Sequence, residues 1–275
     1  MEKYVHFVKQ LMKRIADDDV FGLAAQLAYF FLLSLFPLLL FIMTLIGHLP
    51  IDEQSFIDVL ATVAPEEMMD LINENISRLV NEQNSGLLSI SFIGTLWSAS
   101  NGVNAITRAF NRAYEVEEDR SFIVSRLIAI VLTVAMVGII VIAILLPVLG
   151  RMIGMYLFSL FGLSEGFAHI WGTLRWGITS IVFFIVFLAL YRLAPNEKIR
   201  LIEVIWGALF ATVSWQLVSW AFSFYVDIIG DYSATYGSLG AVIVLMIWFY
   251  MSGLIIIIGG IINAIIHENK LYRRL

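Results

Sequence analysis

Asn101, Asn104, Arg108 and Asn111 recur at spacings of three and four residues, and Gly94 and Trp97 extend the series toward the N-terminus. On an α-helix all six share one face. At 1.5 Å per residue that face runs roughly 25 Å, most of the thickness of a hydrocarbon core. Carboxamides donate and accept hydrogen bonds without carrying charge, so a row of them offers partners to water or to a polar headgroup. Arg108, Arg112, Arg120 and Arg126 put positive charge at one end of the row. Amides leading to a cationic edge suit a phosphate-headed amphiphile, or the headgroups of the surrounding lipid. Two plainer readings stay open. The amides serve equally well as polar glue between packed helices, and the arginines as charges that hold a loop on one side of the membrane.

The other polar residues at membrane depth or its edge are Gln216, Asn263 and a set in one turn, Asp227, Asp231, Tyr232, Tyr236 and Gly237. No acid or base falls at the centre of an apolar stretch, which disfavours ion-coupled carriers. His6, His48, His169 and His267 are scattered, and there is no HExxH pattern, so a metal-dependent hydrolase lacks its ligands. Neither GxxxxGK[ST] nor a GxGxxG opening a helix occurs, which argues against ATP-driven work by this chain alone. No serine has a base paired with it at a recognisable spacing. The sequence therefore assigns no catalytic residue, no metal and no cofactor.

The elements that carry these residues follow from composition. Of 275 residues, 60% are hydrophobic and 14% charged, against roughly 25% charged in soluble domains. With a mean hydropathy of +0.88 the chain reads as one all-α integral membrane domain over 1–275. A net charge of −5 argues against a nucleic-acid partner. Cysteine is absent, which excludes disulfides and thiolate sites. Six crossings are expected, near 23–47, 87–110, 127–149, 176–193, 201–226 and 239–266. Residues 1–19 lack a cleavage-site pattern and read as a cytoplasmic amphipathic helix: Phe7, Val8, Leu11, Met12 and Ile15 are its apolar side. Asp17, Asp18 and Asp19 stand where the next helix starts. Residues 50–86 read as extracytoplasmic amphipathic helices, opened by Pro65, Glu66 and Glu67 and stopped by Gly86. Residues 150–174 suit an interfacial or re-entrant segment.

Packing signals are also visible. Ser98, Gly102, Ala105 and Ala109 form a small-residue stripe beside the amide face, and Gly260 with Ala264 forms another. Pro37 removes one backbone hydrogen bond from the first crossing. Gln216, near mid-membrane, is expected to face protein.

Loop charges set the orientation. Fourteen of the 17 Lys and Arg residues fall in 1–22, 108–126, 192–200 and 267–275, leaving Arg78, Arg151 and Arg175 on the opposite side. The acidic residues divide evenly. Both termini are expected in the cytoplasm.

Four blocks, AAQLAYFFLLSLFPLLLF (24–41), LWSASNGVNAITRAFNRAYEVEEDR (96–120), YRLAPN (191–196) and YGSLGAVIVLMIWFYMSGLIIIIGGIINA (236–264), together resemble the YihY/BrkB family of bacterial inner-membrane proteins. The resemblance covers nearly the whole chain. It implies a six-span protein of the bacterial inner membrane. Members once carried the label ribonuclease BN; some relatives are linked to serum resistance and one to export of a lipopolysaccharide precursor. The family supplies no catalytic residues to transfer, so the motif positions Trp97, Asn101, Arg108, Asn111, Arg120, Tyr236 and Gly237 stand as site candidates. The leading expectation is a transporter or flippase-like protein for a lipid or anionic amphiphile. A membrane scaffold acting through its outer helices or inner loops is the alternative, and a membrane-bound ribonuclease is the least supported. Membrane lipids are the expected partners, and the sequence carries no signal for an oligomeric state.

Overall fold

The computed structural model describes residues 2–46, 85–135, 165–228 and 238–272. Among the described residues all regular structure is helical: α1 (Glu2–Asp17), α2 (Val20–Ile46), α3 (Ser85–Ala113), α4 (Phe122–Ala135), α5 (Glu165–Leu193), α6 (Leu201–Ile228) and α7 (Ser238–Tyr272). Helices satisfy their own backbone groups, which apolar sequence in lipid requires. Among the described residues three stretches are long and apolar enough to cross a membrane: Val20–Phe41, Leu201–Phe222 and Val242–Asn269. Shorter apolar helical stretches run Phe122–Ala135 and Gly177–Leu193.

Helices α2, α3, α6 and α7 occupy the stretches expected as the first, second, fifth and sixth crossings, with their ends moved by a few residues. Helix α4 covers the first part of the expected third crossing, and the remainder lies outside the described residues. Helix α5 corrects one expectation. It begins at Glu165, so residues 165–174 continue a helix instead of forming a separate interfacial segment. No proline interrupts 165–193, and glycine weakens a helix by only about 1 kcal/mol without breaking it. Ser85 and Gly86 open α3, so Gly86 starts a helix where a stop was expected. The rest of the 50–86 region, most of the 150–174 segment, and Tyr232, Tyr236 and Gly237 fall outside the described residues.

The chain groups into two compact units, 1–32 with 100–275, and 33–99. In the smaller unit the second half of α2 meets the first half of α3. Gly94 faces Pro37, where a Cβ would stand 3.5 Å from the proline ring. Phe41 and Phe92 pack with ring centroids 5.2 Å apart, and the Thr44 and Ser91 hydroxyls lie 3.4 Å apart.

In the larger unit the core is built from Ala24, Leu27, Ile106, Phe110, Leu190, Tyr191, Val204, Ile257 and Ile261, all buried. The small-residue stripe of α3 does face protein: Gly102, Ala105 and Ala109 are buried, and Gly102 lies against Phe30 and Phe31. Close approach is tightest between α6 and α7. A Cβ on Gly207 would collide with the Gly259 carbonyl and the Asn263 amide, and one on Gly259 with the Tyr191 hydroxyl. A Cβ on Gly260 would stand 2.5 Å from the Phe110 ring. Only glycine fits these positions, which is why the backbones can touch.

Three chain reversals hold one end of this unit. Asp19, at φ 53°, ends α1, and its carbonyl accepts the Leu23 N–H at 3.0 Å to begin α2. Its carboxylate lies over Gly22, where a Cβ would come within 2.5 Å of it. Helix α3 closes with a paired motif: Val116 N–H reaches the Asn111 carbonyl at 2.9 Å and Glu115 N–H the Arg112 carbonyl at 3.1 Å. This satisfies the last carbonyls of the helix, with Glu115 at φ 55° in the left-handed position usually taken by glycine. Helix α6 opens with half a capping box, the Glu203 carboxylate accepting the Arg200 N–H at 3.3 Å.

Candidate functional site

The polar residues of α3 separate into two groups. Asn111, one turn from the helix end, is buried and committed. Its Nδ2 donates to Glu118 Oε2 at 2.8 Å, and its Oδ1 accepts the Asn196 N–H at 2.7 Å. The Asn196 side chain in turn donates to the Glu117 carbonyl at 2.8 Å and to the Asp119 carboxylate. Arg120 crosses to the same loop, donating to the Ala194 carbonyl at 3.1 Å and to the Pro195 carbonyl. Those carbonyls follow the end of α5, which Pro195 prevents from continuing, so the guanidinium sits at the negative end of a helix. Tyr191 fixes this loop from behind, its hydroxyl donating to the Ile256 carbonyl at 2.9 Å. Residues 111–120 and 191–196, two blocks far apart in the chain, thus form one interlocked corner.

Helix α1 is pinned to the same end. Arg14 donates to the Ala113 carbonyl at 3.0 Å and pairs with Glu115 at 3.0 Å and Glu268 at 3.1 Å. Arg112 donates to the Asp17 carbonyl at 2.8 Å and lies 3.8 Å from the Asp18 carboxylate. Burial pushes the Asp18 carboxyl above its ordinary value, with Arg14 and Arg112 pulling it back down. Phe7, Leu11 and Ile15 of α1 pack on the core, while Val5, Val8 and Met12 stay exposed beside the exposed Lys9 and Lys13.

The second group lies open. Asn101 and Asn104 are half-buried and Arg108 is exposed, on the face of α3 beside its small-residue stripe. Arg126 of α4 is half-buried and donates to Asn101 Oδ1 at 3.3 Å. Among the described residues Asn104 and Arg108 have no hydrogen-bond or ion-pair partner. Arg108 is five residues from the end of α3, about 7.5 Å along the axis. A charged side chain set back from a helix end, without a protein partner, can bind an anion or reach along the surface toward headgroups. Trp97, in the smaller unit, is 66% exposed.

Gln216 and Asn263 are taken up by packing. Gln216 exchanges hydrogen bonds with Ser180 of α5 at 3.1 and 3.2 Å, so it faces protein as its depth required. Asn263 is fully buried, and its Oδ1 accepts the Gly207 N–H at 2.7 Å. Asp227 lies in the last turn of α6. Among the described residues no three His, Cys, Asp or Glu side chains converge in a way that suits a metal ion.

Several polar residues that matter here were not singled out by sequence. Asn196 and Glu118 looked like ordinary loop residues, and Glu203 and His267 like scattered charges, although His267 bonds Glu203 at 2.8 Å. A signal existed for the second pair. Glu203 stands at the third position of a helix, and His267 lies one turn beyond Asn263, on the face that carries Gly259 and Gly260.

Comparison with known proteins matches residues 11–274 to the family described as Virulence factor BrkB. YfkH of Bacillus subtilis (strain 168), whose name calls it ribonuclease-like, is 50% identical over 264 residues, covering 96% of each chain. UPF0761 membrane proteins are more distant. That of Vibrio parahaemolyticus is 27% identical over 273 residues, covering 97% of this chain and 83% of the relative. That of Idiomarina loihiensis is 25% identical over 276 residues, covering 96% and 92%. No solved structure matches. A family match over nearly the whole chain, carried by an all-helical structure with helices fit to cross a bilayer, makes this chain a membrane protein of the BrkB/UPF0761 family.

Proposed function

We propose that the chain moves, or holds during movement, a lipid or other amphiphile with an anionic headgroup, along the open polar face of α3. The observation that carries the reading is the pair Asn104 and Arg108, without a partner among the described residues, in line with Asn101 and faced by Arg126. The outward ridge of α6 is the contrast. There Trp206, Leu209, Val213, Leu217, Trp220 and Phe224 are all exposed and apolar apart from the indole N–H groups, as a lipid-facing surface is. Half-buried amides and an exposed guanidinium within a helix of the same protein are costly in hydrocarbon unless a polar ligand or water meets them. The corner formed by Asn111, Asn196 and Arg120 would then be the fixed mount from which that face projects.

In this reading the chain crosses the bacterial inner membrane six times with both termini inside. The support is that α1, the 114–121 loop, the 194–200 loop and the end of α7, which hold eight of the 17 basic residues, gather at one end of the larger unit. No catalytic chemistry is assigned. The ribonuclease-like name of YfkH offers hydrolysis as a rival, and the α3 face holds neither a nucleophile with a base nor a metal-ligand set.

Proteoliposomes carrying fluorescent lipids test it. Transbilayer movement above that of empty liposomes is expected, faster for anionic than for zwitterionic headgroups. Asn104→Leu with Arg108→Gln should slow it roughly tenfold, the worth of one charge-assisted hydrogen bond. Rates equal to empty liposomes for every headgroup would sink the reading.

A further inference from the structure

Away from the α3 face, the described residues gather one cluster of titratable side chains in the protein interior. Glu203 begins α6 and His267 stands near the end of α7. Nδ1 of the imidazole lies 2.8 Å from Oε2 of the carboxylate, and the two side chains are 18% and 4% exposed. One turn along both helices a second rung repeats the bridge, from the Gly207 N–H to Asn263 Oδ1. Asn263 is fully buried, and its Nδ2 has no partner. Tyr114, at the end of α3, sets its ring edge on His267 with centroids 5.8 Å apart, and its buried hydroxyl also has no partner.

The surrounding charges are few. Arg200, in the loop before α6, gives Glu203 its backbone N–H. Glu268, next to His267, is drawn off by Arg14 of α1. Burial, and then the Glu203 and Glu197 carboxylates, push the Tyr114 phenol up, so its hydroxyl stays a donor. Among the described residues of α5, Tyr191 sets its hydroxyl against Gly259, already given to the Ile256 carbonyl.

We propose that Glu203 and His267 form a proton-binding site, and that gain or loss of the proton shifts the end of α7 against the start of α6. Buried donors without acceptors are expensive, and a second arrangement that satisfies them is one way a fold retains them. Gly207 and Gly259 meet backbone to backbone at this level, so a small displacement of one helix is felt directly by the other. With the imidazole protonated, the bridge is a charge-assisted hydrogen bond and the helices are clamped. After the proton leaves, a weaker bond from the neutral imidazole to the carboxylate remains, and the Tyr114 hydroxyl competes for the carboxylate. Imidazole is the side chain whose charge changes between about pH 5 and 8. The site is independent of the reading given to the α3 face.

Hydrogen exchange of the full-length protein in lipid nanodiscs, corrected for intrinsic rates, tests it at about pH 5.5 and about pH 8. Peptides spanning the first turns of α6 and the last turns of α7 should be about fivefold more protected at the lower pH, the ratio set by roughly 1 kcal/mol between charged and neutral bonds. Glu203→Gln and His267→Gln should each abolish the difference. Tyr114→Phe, which removes the competing hydroxyl and keeps the bridge, should leave a smaller difference of the same sign. Equal protection of the wild type at the two pH values, or a wild-type pH response that survives in Glu203→Gln or His267→Gln, would overturn the proposal.

Discussion

One amide of Asn111 holds two partners from opposite directions. Asn111→Ala leaves the Asn196 N–H without its acceptor and Glu118 Oε2 without its donor, while Glu118 Oε1 keeps the Arg120 N–H. A loss of about 1–3 kcal/mol is expected, seen as a lower thermal midpoint in mild detergent. Asp18 makes the pH-dependent case. Its carboxyl is raised when folded, so the folded chain keeps a proton that the unfolded chain has already released. The group therefore opposes folding at neutral pH, and the penalty fades as pH falls toward the ordinary carboxylate value. Asp18→Asn should raise the thermal midpoint at neutral pH and lose that advantage below about pH 4. At this scale the sequence showed which residues share the polar face of α3, because spacing alone decides that. It did not show that Asn111 leaves the series. The chain reverses directly after it, through a non-glycine residue at positive φ, and returns Glu118 to its amide. Glu115 in that position gives no turn signal in the sequence.

Among the elements, the α6–α7 pair is set by glycine. Gly207→Ala drives a methyl into the Gly259 carbonyl and the Asn263 amide, and should cost about 1–3 kcal/mol by overpacking. Gly177→Ala in α5 is the control: nothing lies within 4 Å of its added Cβ, so it should be neutral or stabilising by up to about 1 kcal/mol. Thermal unfolding of the two variants side by side checks both. The Gly260 contact was legible as a small-residue pattern with Ala264, and the structure fills it with the Phe110 ring. Gly207 stands at the same spacing before Ala211, a pattern that was not singled out, and spacing on one helix does not say which other helix it meets. Helix existence was legible from apolar length. The start of α5 was not, since the glycines and aromatic residues of 165–174 read equally as interfacial.

For the whole molecule, the basic residues and the structure agree on grouping. The segments richest in Lys and Arg are tied together at one end by Arg14, Asn196 and Arg120. Which side of the membrane that end faces is decided by labelling. The chain has no cysteine, so single cysteines report cleanly. One at Lys9 or Lys198 should react only after the membrane is permeabilised, and one at Glu74 should react in intact cells. The reverse pattern would invert the topology. The account as a whole depends on the open side of α3 being where an anionic headgroup sits. A photo-crosslinking residue at Asn104, with another at Leu217 on the apolar ridge of α6, measures this in native membranes. Phosphate-bearing anionic lipid is expected to be enriched over its bulk share at position 104 and to match its bulk share at position 217; equal lipid composition at the two positions would contradict the account.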